Sequence, residues 1–458
     1  MKPVLLIDFG STYTKVTAAD IKECRVLGTA TSHTTVETDI GEGLDAALAQ
    51  LEDQIGFVNF EKRLACSSAA GGLRMVACGL VPELTAKAAK MAALGAGAKL
   101  AGLYSYELTE DDADEIEAIN PDIFLLTGGT DGGNKDCILK NAEVLASLSA
   151  KFPIIVAGNR NCGRQVMKIL ESKPAFLVEN VMPAVDKLNI EPARGKIRDV
   201  FLERIIKAKG LSKISKLVTG ILMPTPAAVL SAMELLSKGC DEEPGLGDLM
   251  AVDVGGATTD VYSISDGFAD GVDVVYKGLP EPFAKRTVEG DIGMRYSVDG
   301  IIESAGLLRV AQLAGLDELK VKNYTERLKN KADYLPQNKE ERAIDFALAA
   351  LAIEIAGQRH AGTIEEVYTT SGKAYVQTGK NLTDVGGIVM TGGALIHAER
   401  QSELAPFAMY SESQPQSLRP KKSEILIDSK YILAAMGLLG EYYPSAALRI
   451  MKTELKII

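Results

Sequence analysis

A short apolar run at residues 3–10 ends in Asp-Phe-Gly, and it limits the possible folds of this chain more than any other stretch. A small polar turn, Ser11-Thr12, follows it, and Lys15 opens a second apolar stretch. A run of this length beside a Gly/Ser turn predicts a buried strand entering a tight hairpin. Such a turn offers backbone N–H groups, hydroxyls and a lysine, which together can hold a phosphate. Asp8 stands where a Mg²⁺ on that phosphate would need an oxygen ligand. Alone, the stretch fits an ordinary β-hairpin equally well.

The same design recurs near the middle of the chain. Residues 249–263 read as a strand, then Asp253-Val254-Gly255-Gly256, then a hydroxyl-rich turn with Thr258, and a second strand. A third apolar strand, in residues 387–395, ends in Thr-Gly-Gly. Self-similarity of this kind indicates an internal repeat. The sequence therefore predicts one strand-rich half that begins at residue 1 and another that begins near residue 247.

Composition and charge exclude several classes of protein. With 458 residues the chain has room for about three domains. Its 47% hydrophobic and 24% charged residues are typical of a globular protein. A net charge of -11, without a long basic run, argues against nucleic-acid binding. No apolar stretch reaches the roughly 18 residues of a membrane helix. The six cysteines form no CxxC pair, which favours reduced thiols in a cytoplasmic protein, and the three histidines form no metal-like cluster.

Between the two halves the pattern changes to short strands that alternate with helices. Such alternation predicts a parallel, doubly wound α/β unit inserted in the chain. The predicted strands lie at residues 63–68, 100–106, 122–127, 153–157 and 175–178. After them, Thr225 is predicted to cap a helix that has Pro226 in its first turn. The predicted divisions are a first lobe at 1–60, an inserted α/β domain with a helical region at 61–245, a second lobe at 246–425, and a C-terminal helix returning to the first lobe at 426–458.

These motifs resemble those of the actin-like ATPase superfamily, which joins sugar kinases, Hsp70 chaperones and actin. Residues 8–12 with Lys15 resemble its first phosphate motif, residues 253–260 its second, and residues 391–394 its adenosine motif. Segments 289–293 and 428–439 stand where its connecting segments belong. The resemblance implies an α/β fold of two actin-like (ribonuclease H-like) lobes, with ATP and Mg²⁺ in the cleft between them, beside the inserted doubly wound domain.

The resemblance also implies roles for particular residues. Asp8 and Asp253 would hold the metal and its waters, and Asp8, Asp253 and Glu289 are the candidate catalytic residues. The residues predicted to contact the nucleotide are Gly10, Ser11, Thr12, Lys15, Gly255, Gly256, Thr258, Thr259, Gly392 and Gly393. The carboxylate that orients the attacking water has no unambiguous counterpart, and Glu289 and Asp260 are its two candidates. A missing base would suit slow hydrolysis and a role as a timer.

The whole chain is identified as a member of the glutamate-mutase-associated MutL family, which is unrelated to the mismatch-repair protein of that name. That family implies an ATP-binding, slowly ATP-hydrolysing accessory protein, a reactivating chaperone for an adenosylcobalamin-dependent mutase such as glutamate mutase. Two alternatives remain open: a small-molecule kinase of the same superfamily, and a non-catalytic or filament-forming actin-like scaffold. A homodimer also remains open.

Two glycine-rich segments, at residues 127–134 and 158–163, follow strands of the predicted inserted domain. Doubly wound sheets bind ligands at the carboxyl ends of their strands. The glycines either permit tight turns alone or shape a surface that contacts a client or cofactor. The cobalamin domain of the related mutases has this general architecture and an Asp-x-His-x-x-Gly motif, which this sequence lacks. We therefore expect the inserted domain to imitate the mutase's cobalamin domain, or to dock beside it, without ligating cobalt.

Overall fold

The chain folds around two β-sheets of the same design and a third, inserted one. The computed structural model describes residues 1–10, 12–34, 40–68, 73–185, 187–208, 220–268, 274–331, 333–370 and 372–458. The first sheet has the spatial order β3 (Arg25–His33), β2 (Tyr13–Asp20), β1 (Pro3–Phe9), β4 (Lys62–Ser67) and β10 (Gly220–Pro224). Strands β1, β2 and β3 pair antiparallel, whereas β1, β4 and β10 pair parallel.

The second sheet repeats this order strand for strand. It runs β16 (Ala284–Glu289), β14 (Thr259–Ile264), β13 (Leu249–Val254), β19 (Gly387–Thr391) and β20 (Glu424–Ile427), with the short β21 (Lys456–Ile457) at its far edge. Strands β13, β14 and β16 pair antiparallel, and β13, β19 and β20 pair parallel. The predicted internal repeat is therefore present as two sheets with one topology. Together with the inserted sheet below, it confirms the predicted fold class.

The inserted sheet contains five parallel strands. Their order is β6 (Ala98–Ser105), β5 (Leu73–Gly79), β7 (Ile123–Leu126), β8 (Ile154–Val156) and β9 (Ala175–Leu177). Four of these strands were predicted, because each is an apolar run bounded by helical sequence. With the helices between residues 87 and 208, the five strands form what we call the inserted unit.

One predicted strand of the inserted unit belongs elsewhere. The run at residues 63–68 is β4, and it pairs with β1 in the first sheet. The strand that opens the inserted sheet is β5, which the sequence reading missed. Strand β10 also joins the first sheet, by pairing with β4. The start of the inserted domain at residue 61 and its end at residue 245 are therefore wrong as divisions between sheets, whereas the other predicted divisions remain predictions.

Helices cover the three sheets. They are α1 (Ile40–Ile55), α2 (Lys87–Gly95), α3 (Glu110–Ile119), α4 (Asp136–Ser147), α5 (Gly163–Ile169), α6 (Glu191–Ala208), α7 (Thr225–Lys238), α8 (Val298–Ala305), α9 (Leu307–Ala314), α10 (Glu318–Asn330), α11 (Lys339–His360), α12 (Gly393–Ile396), α13 (Gln401–Ala408), α14 (Leu433–Gly440) and α15 (Pro444–Glu454). Two small sheets complete the structure: β11 (Gly239–Cys240) with β12 (Glu243–Pro244), and β15 (Val274–Lys277) with β18 (Gly372–Thr378) and β17 (Thr363–Thr369). No helix in the described ranges combines the length and apolarity needed to cross a membrane.

Helices α7 and α14 form the centre of the molecule, between the first and second sheets. Val4 and Leu6 of β1 share one buried cluster with Leu249 and Ala251 of β13 and with both helices. Helix α14 is apolar along its whole length, as expected for a helix buried on every side. At Gly437 a side chain would clash with the backbone of Ala228 on α7, so only glycine allows the two helices to cross this closely.

Candidate functional site

The two Asp-Gly hairpins form turns with the same hydrogen bond. In the first turn, the N–H of Gly10 donates to the carbonyl of Tyr13 at 3.1 Å, and in the second the N–H of Gly255 donates to the carbonyl of Thr258 at 2.9 Å. Both turns lie at the ends of strands that occupy the same position in their sheets. Thr12, Gly255, Gly256 and Thr258 are at least partly exposed in these turns, as a ligand-binding loop requires. Ser11 lies outside the described residues.

Asp8, at the end of β1, is held by three donors. Lys15 Nζ donates to Oδ2 at 3.2 Å, while Thr225 Oγ1 at 2.6 Å and Cys66 Sγ at 3.5 Å donate to Oδ1. The carboxylate is 5% exposed. Burial of a charged carboxylate is costly unless donors satisfy its oxygens, and here they do. Asp8 is thus fixed in place by its three donors.

Lys15 connects the two halves of the site. Its ammonium group pairs with Asp8 and also lies over the ring of Tyr431, 3.5 Å from the ring centroid. Burial opposes the charge, but the charges of Tyr431, Asp8 and Asp253 outweigh it and raise the pKa of Lys15 above its usual value. Tyr431 has a φ of 54°, a left-handed conformation that is unusual for a bulky residue. Lys15 is therefore a permanent cation among acidic side chains from both sheets.

Asp253, at the equivalent position in β13, has a different environment. Burial and the neighbouring carboxylate of Asp260 raise its pKa to about 7, and Asp428 and Asp8 contribute in the same direction. The Thr-Gly-Gly segment approaches it closely: a Cβ on Gly392 would lie 2.6 Å from Asp253 Oδ1. Gly392 has a φ of 95°, which also favours glycine. Near neutral pH, Asp253 can therefore change its protonation state, and a cation would favour its charged form.

Asp428 is the third acidic group that the fold brings to this place. It is 1% exposed and accepts hydrogen bonds from the N–H groups of Ile432 and Leu433 and from Thr391 Oγ1. Burial raises its pKa, although these donors oppose the shift. Thr391 precedes the glycines of the third motif, so Asp428 links that motif to the start of α14.

Thr225, Cys66 and Tyr431 contact the site but were not predicted for it. Thr225 was predicted to cap α7, but Pro224 takes the capping position and the Thr225 hydroxyl donates to Asp8 instead. Tyr431 lies in the predicted connecting segment 428–439, but no contact with the site was predicted for it. A sequence signal for Thr225 existed, because β10 and β20 are corresponding strands of the two sheets and each is followed by a buried helix, α7 or α14. Recognising it requires the strand order, since 217 residues separate Thr225 from Asp8.

The two candidate water-orienting carboxylates are both engaged by arginines. Glu289, at the end of β16, pairs with Arg359 at 2.7 Å. Asp260 Oδ1 accepts a hydrogen bond from Arg286 Nε at 2.8 Å and forms an ion pair with Arg286 Nη2 at 2.6 Å. Thr259 is also engaged, because its hydroxyl donates to the carbonyl of Ile292. The fold thus places Glu289, Asp260 and Thr259 beside the second turn, but with their polar atoms already paired within the protein.

The donor set fits a Mg²⁺ that takes most of its ligands from phosphate and water. The available groups are hard oxygens, from Asp8 and Asp253, as this ion prefers. Among the described residues there is no group of three or more His, Cys, Asp or Glu side chains that could hold a metal ion alone. One or two carboxylates with phosphates and waters are the usual Mg²⁺ arrangement in nucleotide sites. The two aspartates would serve as those carboxylates.

A family model described as MutL protein matches residues 4–455. The chain belongs to the MutL protein family. Protein MutL of Clostridium tetanomorphum is 48% identical over 456 residues, and the alignment covers 99% of each chain. The MutL family predicted from the overall character of the sequence is thereby confirmed.

Several solved structures are similar at a lower level. They include the activator of the 2-hydroxyisocaproyl-CoA dehydratase from Clostridium difficile with bound ADPNP, with a TM-score of 0.34, 8% identity and coverage of 100% of this chain and 99% of that one. Ligand-bound xylulose kinase from Lactobacillus acidophilus has a TM-score of 0.37 and 11% identity, with coverage of 100% and 93%. Diol dehydratase-reactivating factor in nucleotide-free form has a TM-score of 0.33 and 12% identity, with coverage of 97% of this chain and 100% of that one. The fold assignment rests on the strand order and register of the two sheets.

Proposed function

We propose that the chain binds Mg²⁺–ATP between its two Asp-Gly turns and hydrolyses it slowly. The observation that carries this proposal is the equivalence of the two turns, which end corresponding strands of two sheets with one topology. Asp8, Lys15 and Asp253 come from different sheets and interact electrostatically. Acidic groups with one fixed cation, between two glycine-rich turns, suit a triphosphate with its metal.

Each residue has a role in this proposal. The N–H groups and hydroxyls of residues 10–12 and 255–258 hold the β- and γ-phosphates, and the segment at Gly392 and Gly393 lies against the adenosine. Asp8 and Asp253 hold the metal through direct or water-mediated contacts, and Lys15 binds a phosphate oxygen. A bound Mg²⁺ neutralises charge on the phosphates. The protein itself positions the phosphates and excludes competing geometries, which accounts for most catalysis in such sites.

Glu289 and Asp260 each form an ion pair with an arginine, and these ion pairs support slow hydrolysis. A carboxylate that orients the attacking water needs a free oxygen within hydrogen-bond reach of that water. Arg359 and Arg286 compete for these oxygens. We propose Glu289 as the catalytic carboxylate, because its ion pair includes a partly exposed arginine that water can replace. Turnover would then be limited by opening of this pair.

The test is binding of Mg²⁺–ATP by titration calorimetry, followed by phosphate release without any added acceptor. We expect saturable binding that requires Mg²⁺, with slow release of phosphate. Asp8→Ala and Asp253→Ala should abolish hydrolysis. Asp45→Asn, which alters an exposed carboxylate on α1, is the matched control and should leave it unchanged. Unimpaired turnover in either Asp8→Ala or Asp253→Ala would contradict the metal assignment.

We further propose a reactivating role for an adenosylcobalamin-dependent mutase such as glutamate mutase, in the cytoplasm. Membership of the MutL family supports this partner class. Closure of two lobes on ATP and reopening after hydrolysis would supply the mechanical output. The test is a pull-down with inactivated mutase, with and without ATP. ATP-dependent association supports the role, whereas no association in either condition contradicts it.

The inserted unit is the proposed site of contact with the mutase. A deletion of residues 61–245 cannot test this, because it would remove β4 and β10 from the first sheet. Charge-reversal at the exposed Arg160 and Arg164, beside the glycine-rich segment 158–163, leaves the sheets intact. We expect Arg160→Glu with Arg164→Glu to weaken the pull-down while ATP binding stays unchanged. An undiminished pull-down would exclude this edge of the inserted sheet as the docking surface.

A small-molecule kinase is the second candidate. The pairing of both candidate carboxylates with arginines favours it, since hydrolysis by water would then be suppressed until a substrate binds. Assays with a panel of sugars and short-chain acids distinguish the two. Stimulation of ADP formation by any of them favours the kinase. ATP-induced light scattering would instead favour a filament-forming scaffold.

A further inference from the structure

The open edge of the second sheet is covered by the inserted unit. Strand β16 is the edge strand, and helix α2 of the inserted unit packs against it. Arg286 lies in β16 and is 5% exposed. Its Nη1 donates to the carbonyls of Leu94 at 3.1 Å and Ala98 at 2.9 Å, at the end of α2 and the start of β6. Its Nε donates to Asp260 Oδ1, and its Nη2 forms an ion pair with the same oxygen.

The guanidinium group of Arg286 therefore has partners in two different parts of the molecule. On one side is Asp260, at the end of the second turn and a main cause of the raised pKa of Asp253. On the other side are backbone carbonyls of the inserted unit. A guanidinium can bridge them because its donors point in fixed directions, whereas a lysine offers a single ammonium. Because the group is buried, a shift of either partner leaves a donor unpaired, which is costly.

Further contacts join the same two elements. Glu281 accepts from Lys87 of α2 at 3.1 Å and from Lys285 of β16 at 3.3 Å. Lys99, which follows Ala98, lies against Gly290, where a Cβ would be 3.3 Å from its Nζ. These contacts fix α2 and β6 to β16 and to the residues that flank it, at points that do not touch Asp260. Arg286 contacts both Asp260 and the inserted unit.

We propose that Arg286 couples the inserted unit to the nucleotide site. Binding of Mg²⁺–ATP at the second turn would shift Asp260. Because Arg286 bonds to both Asp260 and the end of α2, that shift would change the strength of the contact between α2 and β16. By reciprocity, a client that displaces the inserted unit changes the affinity for ATP by the same factor. Arg286 is a positioning residue in this account, and the account rests on the proposed ATP site.

The experiment measures hydrogen exchange of the amides at residues 94–98 with and without Mg²⁺–ATP, in the full chain. We expect ATP to change their exchange in the wild type by about fivefold, a usual size for coupling between two sites. Arg286→Lys keeps a positive charge near Asp260 but loses the guanidinium group that bridges the two partners. The ratio of the exchange rates with and without Mg²⁺–ATP should therefore fall to about one. Lys87→Met is the matched control: it removes an ion pair between α2 and Glu281, in the segment that precedes β16, without touching Asp260, and the ratio should persist.

The outcomes separate the two proposals. If calorimetry shows ATP binding but the wild-type ratio is one, or if Arg286→Lys retains the full ratio, the coupling proposal is wrong while the ATP site stands. If Lys87→Met also abolishes the effect of ATP on hydrogen exchange, the packing of α2 against the second sheet, and not Arg286 in particular, transmits the effect. The proposal is then also wrong. Absence of ATP binding overturns both proposals. Asp260→Asn serves as the second variant should Arg286→Lys fail to fold, with the same expected loss.

Discussion

The two Asp-Gly turns have one backbone design but opposite electrostatics. In the first, Asp8 is paired with Lys15 and accepts from Thr225 and Cys66, so its charge is compensated within the protein. In the second, Asp253 lies near Asp260 and Asp428, and its pKa rises to about 7. A repeated fold therefore does not imply repeated chemistry. Asp8 is held by donors within the protein, whereas Asp253 lies among acidic groups and would gain a partner from a bound cation.

The sharpest test of this contrast is Asp253→Asn. We expect Mg²⁺–ATP affinity to fall by about 100-fold, the scale of roughly 3 kcal/mol for a lost interaction with a charged group. At pH 8 the nucleotide-free protein should melt at a higher temperature, because the variant removes an unfavourable buried charge. Calorimetry and thermal melting report these two effects. A lower melting temperature would show that Asp253 is compensated like Asp8.

Asp8→Asn should act in the opposite direction on stability. It leaves Lys15 without its ion-pair partner, so we expect the free energy of unfolding to fall by about 3 kcal/mol. Urea denaturation without nucleotide measures this loss. The double variant Asp8→Asn with Lys15→Met should recover part of it, because the unpaired cation is gone. No recovery would mean that Asp8 is held chiefly by Thr225 and Cys66.

The pH dependence of binding separates the two aspartates next. A metal binds the deprotonated form of Asp253, so Mg²⁺–ATP affinity should rise about tenfold from pH 6 to pH 8, given a pKa of about 7. Stability without nucleotide has the reverse sign: the folded state binds a proton that the unfolded state releases, so stability falls as pH rises from about 4 to about 7. Both trends should be absent in Asp253→Asn. A flat wild-type profile would contradict the raised pKa.

The smallest expected effect concerns the hydroxyl that fixes Asp8. Thr225→Val removes its 2.6 Å hydrogen bond while keeping the shape of the side chain. We expect about 1 kcal/mol of lost Mg²⁺–ATP affinity, or about fivefold. Thr225→Ser retains the hydroxyl and is the matched control. Equal behaviour of the two variants in calorimetry would show that Thr225 only begins a helix.

The sequence predicted the parts of the fold that local pattern determines. Apolar runs with Asp-Gly turns indicated both hairpins, and the parallel strands β6 to β9 followed from their alternation with helices. Strand β5 was missed because it follows β4 so closely that only one strand was expected, and local periodicity does not say which sheet a strand joins. The contacts of Thr225 and Arg286 could not be predicted either, since their partners lie 217 and 192 residues away.

The neighbouring strands β4 and β10 have consequences for the order in which the chain is made. Because the whole inserted unit lies between them in sequence, β4 leaves the ribosome long before the strand that covers its edge. During that interval the first sheet has an unpaired edge, which invites pairing with other chains. The inserted unit has a buried cluster of its own strands and helices to form meanwhile. Assembly of the first sheet is therefore a late, long-range event. Slower translation of residues 73–208 would prolong the period in which the unpaired edge of β4 can associate with other chains.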